Sequence, residues 1–115
     1  MWAFGYGMME GVVKVVNAGL GEPIEAAIAV FGTTTRVGIL RYLLKDGPAQ
    51  TGTIATDLAL TRSTVAAAVV ALEQLGAIIG DSPVEQRHGK RVMYRADRVR
   101  IEELLNALRG ALDFT

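Results

Sequence analysis

The sequence contains no cysteine, which excludes a disulfide framework, a thiolate nucleophile and any zinc site built on sulfur. It contains one histidine, His88, so a metal site made of several imidazoles is excluded as well. There is no excess of charge of either sign: 12 Lys plus Arg balance 12 Asp plus Glu, for a net charge of zero. Such a chain does not coat nucleic acid indiscriminately, and any attraction to phosphate has to come from a local cluster. The apolar N-terminus lacks the basic lead-in of a signal peptide, and Gly5, Gly7 and Gly11 interrupt its apolar runs. No run reaches the length of a bilayer span, so the expected location is the cytoplasm, with no membrane partner. A phosphate-cradling Gly-rich loop, a metal-ligand motif and a nucleophile–base pair are also missing, so neither an enzyme nor a cofactor is expected.

What is present is enough for one domain. The chain has 115 residues, half of them hydrophobic, a size that folds alone but gains from a dimer interface. Residues 1–21 form an apolar, Gly-punctuated segment. Val12, Val13, Val15 and Val16 in it fit either a short helix or a strand, and its scarce polar surface points to packing on a neighbour, another subunit being a candidate. Residues 22–115 carry the periodic pattern of a domain.

Glu22, Pro23 and Glu25 suit a helix start, and Ile24, Ala27, Ile28 and Phe31 follow at helical spacing up to Gly32. Thr33, Thr34 and Thr35 each offer an N-cap for a second helix, which carries Val37, Ile39, Leu40, Leu43 and Leu44 and stops at Asp46-Gly47-Pro48. Thr51 offers a cap for a third helix with Ile54, Ala55 and Leu58 inward. After a tight Ala59-Leu60 connection, Thr61 caps a fourth helix running through Val65, Val69, Leu72 and Leu75 to Gly76. The pattern then changes. Ala77-Ile78-Ile79 begins a strand that 84–87 resumes, His88-Gly89-Lys90 is a turn, and 91–96 is a second strand with Val92, Tyr94 and Ala96 on one face. Asp97 caps a last helix with an apolar stripe of Ile101, Leu104, Leu105, Leu108 and Leu112. The predicted fold is mainly α with a small β-hairpin: helices, a short turn, a helix, a hairpin and a helix.

The neutral total conceals an uneven distribution. Residues 36–100 hold ten basic and six acidic side chains, a net of +4, flanked by −2 on each side. From Arg87 to Arg100 the basic residues are Arg87, Lys90, Arg91, Arg95, Arg98 and Arg100, against Asp97 alone. At the start of the fourth helix, Thr61, Arg62, Ser63 and Thr64 form a polar turn. Free amide N–H groups there favour an anion, and its side chains are placed to reach base edges.

These segments resemble a known family. The stretch FGTTTRVGIL (31–40) resembles the LGDPTRLRIL opening of ArsR-like regulators. IATDLALTRSTV (54–65) resembles their LAEALGLSQSTV, LEQLGAI (72–78) their LEEAGLV, and GKRVMYR (89–95) their GRRVYYR. The match covers roughly 22–112, and MarR-like regulators share much of it. The resemblance implies a winged helix-turn-helix in which residues 61–75 form the recognition helix and the hairpin is a wing over phosphate. It further implies a homodimer built through the terminal helices, acting on double-stranded DNA as a transcriptional regulator, a repressor. The candidate DNA-contacting residues are Thr51, Thr61, Arg62, Ser63, Thr64, Ala67, Arg87, His88, Lys90 and Arg91. The sequence departs from the family in two ways. Positions after Val65 that are often polar are Ala66, Ala67 and Ala68, which leaves few donors for bases. The metal-sensing cysteines and histidine pairs are missing, so metal-responsive regulation is not expected, and no effector is legible.

Each feature also has a plain structural reading. The Thr61–Thr64 turn serves equally as a helix cap, the triple alanine as helix filler or as a flat face for a protein partner, and the basic cluster as a solvated face. The alternatives to a DNA-reading regulator are accordingly a winged-helix protein-interaction module and a phage or mobile-element accessory factor.

Overall fold

The computed structural model describes residues 20–112; the expectations for the apolar segment up to residue 19 lie outside the described residues. The elements are α1 (Glu22–Phe31), α2 (Thr34–Asp46), α3 (Thr51–Leu58), α4 (Arg62–Gln74), β1 (Ile78–Gly80), a single 3₁₀ turn (Val84–Gln86), β2 (Tyr94–Ala96) and α5 (Arg98–Ala111).

Most helix boundaries follow from local chemistry. Thr33 Oγ1 accepts from the Arg36 amide, Thr61 Oγ1 from the Thr64 amide, and Asp97 Oδ1 from the Arg100 amide, each satisfying an amide that the helix leaves without a partner. Thr51 departs from expectation. The capping residue of α3 is Gln50, which makes no side-chain cap bond, and Thr51 is already the first helical residue. At the end of α4, Gly76 takes φ +82, and the Ala77 and Gly76 amides donate to Leu72 O and Glu73 O. This is the Schellman stop that a glycine favours. The end of α3 has the same pattern without a glycine. Ala59 sits at φ 56, with its own amide on Thr56 O and that of Leu60 on Ala55 O.

The core is continuous. Ile39, Leu40 and Leu43 of α2, Ile54 and Ala55 of α3, Val65, Val69 and Leu72 of α4, Ile78 of β1, and Ile101 and Leu104 of α5 are all buried. The Tyr42 hydroxyl of α2 donates to Asp57 of α3, and that hydrogen bond is the main reason its pKa is pushed up to about 12. The face of α1 is turned from the expected one. Ala26, Ala27 and Val30 are buried, while Ile28 is half exposed, because small residues let α1 lie close along α5.

The hairpin also departs from expectation. β1 and β2 pair antiparallel with Ile78 opposite Ala96 and Gly80 opposite Tyr94. Residues 84–87 do not resume the first strand. Pro83 opens the 3₁₀ turn there, since it has no amide to offer a ladder. The regular second strand is Tyr94–Ala96 rather than all of 91–96, although Val92 and Tyr94 do point into the core. Ala49, just before α3, exchanges both backbone hydrogen bonds with Tyr94, at 3.0 and 2.9 Å. The wing is therefore anchored to the entrance of α3 as well as to β1.

Candidate nucleic-acid interface

The α3–turn–α4 pair positions the site. Ile54 and Ala55 bury against Val65, Ala68 and Val69, which orients α4 so that its N-terminal turn and outer face meet solvent. Thr61, Arg62, Ser63 and Thr64 are all exposed there. The hydroxyls of this turn are largely occupied with one another: Thr61 donates to Thr64 Oγ1 at 2.8 Å and lies 3.3 Å from Ser63 Oγ. The triple alanine divides by its place on the helix. Ala68 is core, whereas Ala66 and Ala67 are exposed and share the outer face with Ser63 and with Val70, which is 54% exposed.

The wing lies beside this turn. Lys90, Arg91 and His88 are exposed, with Gly89 at φ +65 making the turn between them. Lys90, Arg91, Arg62, Thr51 and Gly52 line one cleft between the wing, the first turn of α3 and the first turn of α4. The fold thus gathers Thr51, Arg62, Lys90 and Arg91 into one place from three segments of chain. His88 sits at the wing turn and is not among the cleft's lining residues.

Arg87 has a different role from the expected one. Its guanidinium forms a two-pronged pair with Glu73 of α4 at 2.9 and 2.7 Å and also donates to Ser82 O. The side chains are only 16% and 23% exposed. Arg87 also lies 5.7 Å from the centre of the Tyr94 ring. The hydrogen bond from Arg87 holds the Glu73 carboxyl below its ordinary value and raises Arg87 further. Arg87 consequently ties the wing to α4 through four side-chain hydrogen bonds. A side chain at Gly80 would collide with its guanidinium. Arg100 is similarly withdrawn from the basic cluster. It bonds Leu75 O, Glu103 and Glu22, joining α5 to the end of α4 and to α1.

Sequence reasoning missed Gly52 and Glu73. Gly52 had a readable signal, a glycine in the first turn of a short helix, which marks close approach of another group. Glu73 had none, because its partner lies fourteen residues away across the hairpin. Among the described residues no cluster of His, Asp or Glu could hold a metal ion, and no single helix is long and apolar enough to cross a membrane.

Comparison of the whole fold identifies its architecture. The chain is similar to the transcriptional repressor BigR from Xylella fastidiosa at 15% identity, TM-score 0.56, over 80% of this chain and 88% of that one. It is similar to the homodimeric winged helix-turn-helix DNA-binding domain Mb0332 from Mycobacterium bovis at 22% identity, TM-score 0.57, over 79% of each chain. HlyU from Vibrio cholerae aligns at 19% identity and TM-score 0.53, over 77% of this chain and 87% of that one. The fold is a winged helix-turn-helix. No protein-family model and no curated protein sequence matches the chain. In the winged helix-turn-helix, α3 and α4 are the helix-turn-helix and residues 81–93 are the wing.

Proposed function

We propose that this chain is a sequence-specific, double-stranded-DNA-binding transcriptional regulator, cytoplasmic and homodimeric, that represses without sensing metal. The observation that carries this reading is the convergence of Arg62, Lys90 and Arg91 beside the exposed first turn of α4, in a cleft with no lining carboxylate. A chain of zero net charge thereby presents a cationic surface where the fold projects a helix. That combination suits phosphate contact on either side of a helix lying in the major groove. The repressor BigR and the homodimeric DNA-binding domain Mb0332 share the architecture, which favours the same use here.

The dimer reading rests on α1 and α5. Ile28 is 50% exposed, Leu105 49% and Leu112 60%, and an open groove of about 750 Å³ along α5 is lined by Leu105, Leu108 and Leu112 among others. Two copies joined there would present two α4 helices, one for each half-site.

A specific observation also favours a second reading, a winged-helix module that binds protein. The outer face of α4 is Ala66, Ala67 and Val70, with no long polar side chain among them. Selection of duplexes from a random pool at two salt concentrations separates the two readings. Enrichment of a two-fold-symmetric motif, with affinity falling steeply as salt rises, is the expected result. Absence of an enriched motif at both salts rejects the DNA-reading regulator.

A further inference from the structure

Arg62 is the longest donor on the first turn of α4 and, by sequence, the natural reader of a base. Its conformation argues otherwise. A Cβ placed on Gly52 would lie 3.2 Å from the Arg62 Nη2 atom and 3.4 Å from its Cζ. The guanidinium is therefore folded back across the first turn of α3 and does not extend along the outer face of α4. There it lines a cleft of about 420 Å³ with Gln50, Thr51, Gly52, Lys90 and Arg91.

The charge balance of this cleft is one-sided. Its fourth cation, Arg87, is neutralised by Glu73. Arg62, Lys90 and Arg91 form no ion pair among the described residues, and no carboxylate lines the cleft. Three like charges drawn together from α4 and the wing repel one another, and one anion held between them removes that repulsion. The cleft is also open and polar, as a diester phosphate entering from solvent requires.

We infer that this cleft seats one backbone phosphate of the DNA, with Arg62 as a phosphate-holding residue and Gly52 as the positioning residue that makes room for it. This rests on the DNA-binding reading above and assigns Arg62 away from base recognition. Base discrimination by α4 is then left to the Ser63 hydroxyl and to Ala66, Ala67 and Val70, whose apolar surface fits thymine methyl groups rather than guanine acceptors.

The test uses the full chain and the tightest duplex from the random-pool selection, with single neutral methylphosphonates placed along its backbone. At one phosphate per half-site, the neutral linkage is expected to weaken wild-type binding about tenfold and to leave Arg62→Ala unaffected. Arg62→Ala and Gly52→Gln are each expected to weaken binding to all duplexes by a similar factor. Each should also lower the magnitude of the salt slope by about 0.9 per seat, with base preferences unchanged. Gly52→Gln replaces a poor helix former by a good one, so the fold is retained; Arg62→Lys should recover part of the slope. A changed base preference at one position in Arg62→Ala overturns the inference, and so does an undiminished response of that variant to every methylphosphonate. Inorganic phosphate, titrated against the Gly52 amide signal of the DNA-free chain, distinguishes the source of the phosphate. Shifts only at concentrations on the order of tens of millimolar agree with a DNA seat, whereas saturation at micromolar concentration reassigns the cleft to a free phosphorylated ligand. If selection yields no bound duplex, the DNA-binding reading fails, and this inference with it. If duplexes bind but Arg62→Ala alters only base preference, this inference alone fails.

Discussion

At the scale of single residues, Ala59 and Gly52 have exchanged the places that propensity would give them. Ala59 occupies the left-handed region at φ 56 in the turn between α3 and α4, where an L side chain costs about 1–2 kcal/mol. Gly52 lies inside α3, where it costs about 1 kcal/mol relative to alanine. The second cost is offset by what the missing side chain admits, the Arg62 guanidinium. The first accompanies the hydrogen bonds that close α3, Ala59 N to Thr56 O and Leu60 N to Ala55 O, which a glycine would form equally. Ala59→Gly is therefore expected to stabilise the domain by about 0.5–1 kcal/mol, the relief of strain less the extra freedom of glycine in the unfolded chain. Urea unfolding measures this, and a lower midpoint for the variant would refute it. The caps at Thr61 and Asp97 were legible, and that of α2 was narrowed to Thr33, Thr34 or Thr35, because capping depends only on neighbours three residues away. The strain at Ala59 was not, since nothing in Leu-Ala-Leu announces a left-handed residue.

At the scale of elements, the wing is the informative case. Its existence was readable from Gly89 and the alternation of Val92, Tyr94 and Ala96, while its attachment was not. Attachment depends on Arg87 reaching Glu73 of α4 and on the Ala49–Tyr94 bridge, both contacts between residues distant in sequence. The Arg87 hydrogen bond lowers the Glu73 pKa from an ordinary 4.5, so the folded state binds this proton less readily than the unfolded chain. The contribution of the pair is complete above about pH 4.5 and is lost as pH falls through the lower folded value. Wild type is expected to show acid loosening of the wing in this range, followed by exchange of the Asp81 amide, which donates to Met93 O. Glu73→Gln should show faster exchange at neutral pH and little further change on acidification. Identical pH profiles for the two proteins would exclude the pair as the wing's anchor.

At the scale of the whole molecule, the unpaired cations and the exposed leucines lie on different elements. The cationic cleft lies between the wing, α3 and α4, whereas Leu105 and Leu112 of α5 and Ile28 of α1 stand exposed. The apolar stripe on α5 was legible in the sequence as one face, but only half of it is buried within the chain: Ile101 and Leu104 enter the core while Leu105 and Leu112 do not. That remainder supports the homodimer proposed above. Leu105→Glu combined with Leu112→Glu is expected to yield a folded monomer by sedimentation equilibrium. Its affinity for a two-half-site duplex should fall about a hundredfold or more, while binding to a single half-site stays close to wild type. A double variant that remains dimeric would place the interface elsewhere.

The sequence alone determined the order of the helices, the caps of α2, α4 and α5, the buried face of α4, and the winged helix-turn-helix itself. These follow from periodicity and from interactions within a few residues. The tertiary structure decided which of the basic residues are available. Arg62, Lys90 and Arg91 converge without counter-charge, while Arg87 and Arg100 are held by Glu73, Glu22 and Glu103. Composition reports how many charges a chain carries, but an ion pair forms only between groups that the fold brings within a few ångströms. The uncovered leucines of α5 follow the same rule, because whether an apolar stripe is core or interface depends on what packs against it.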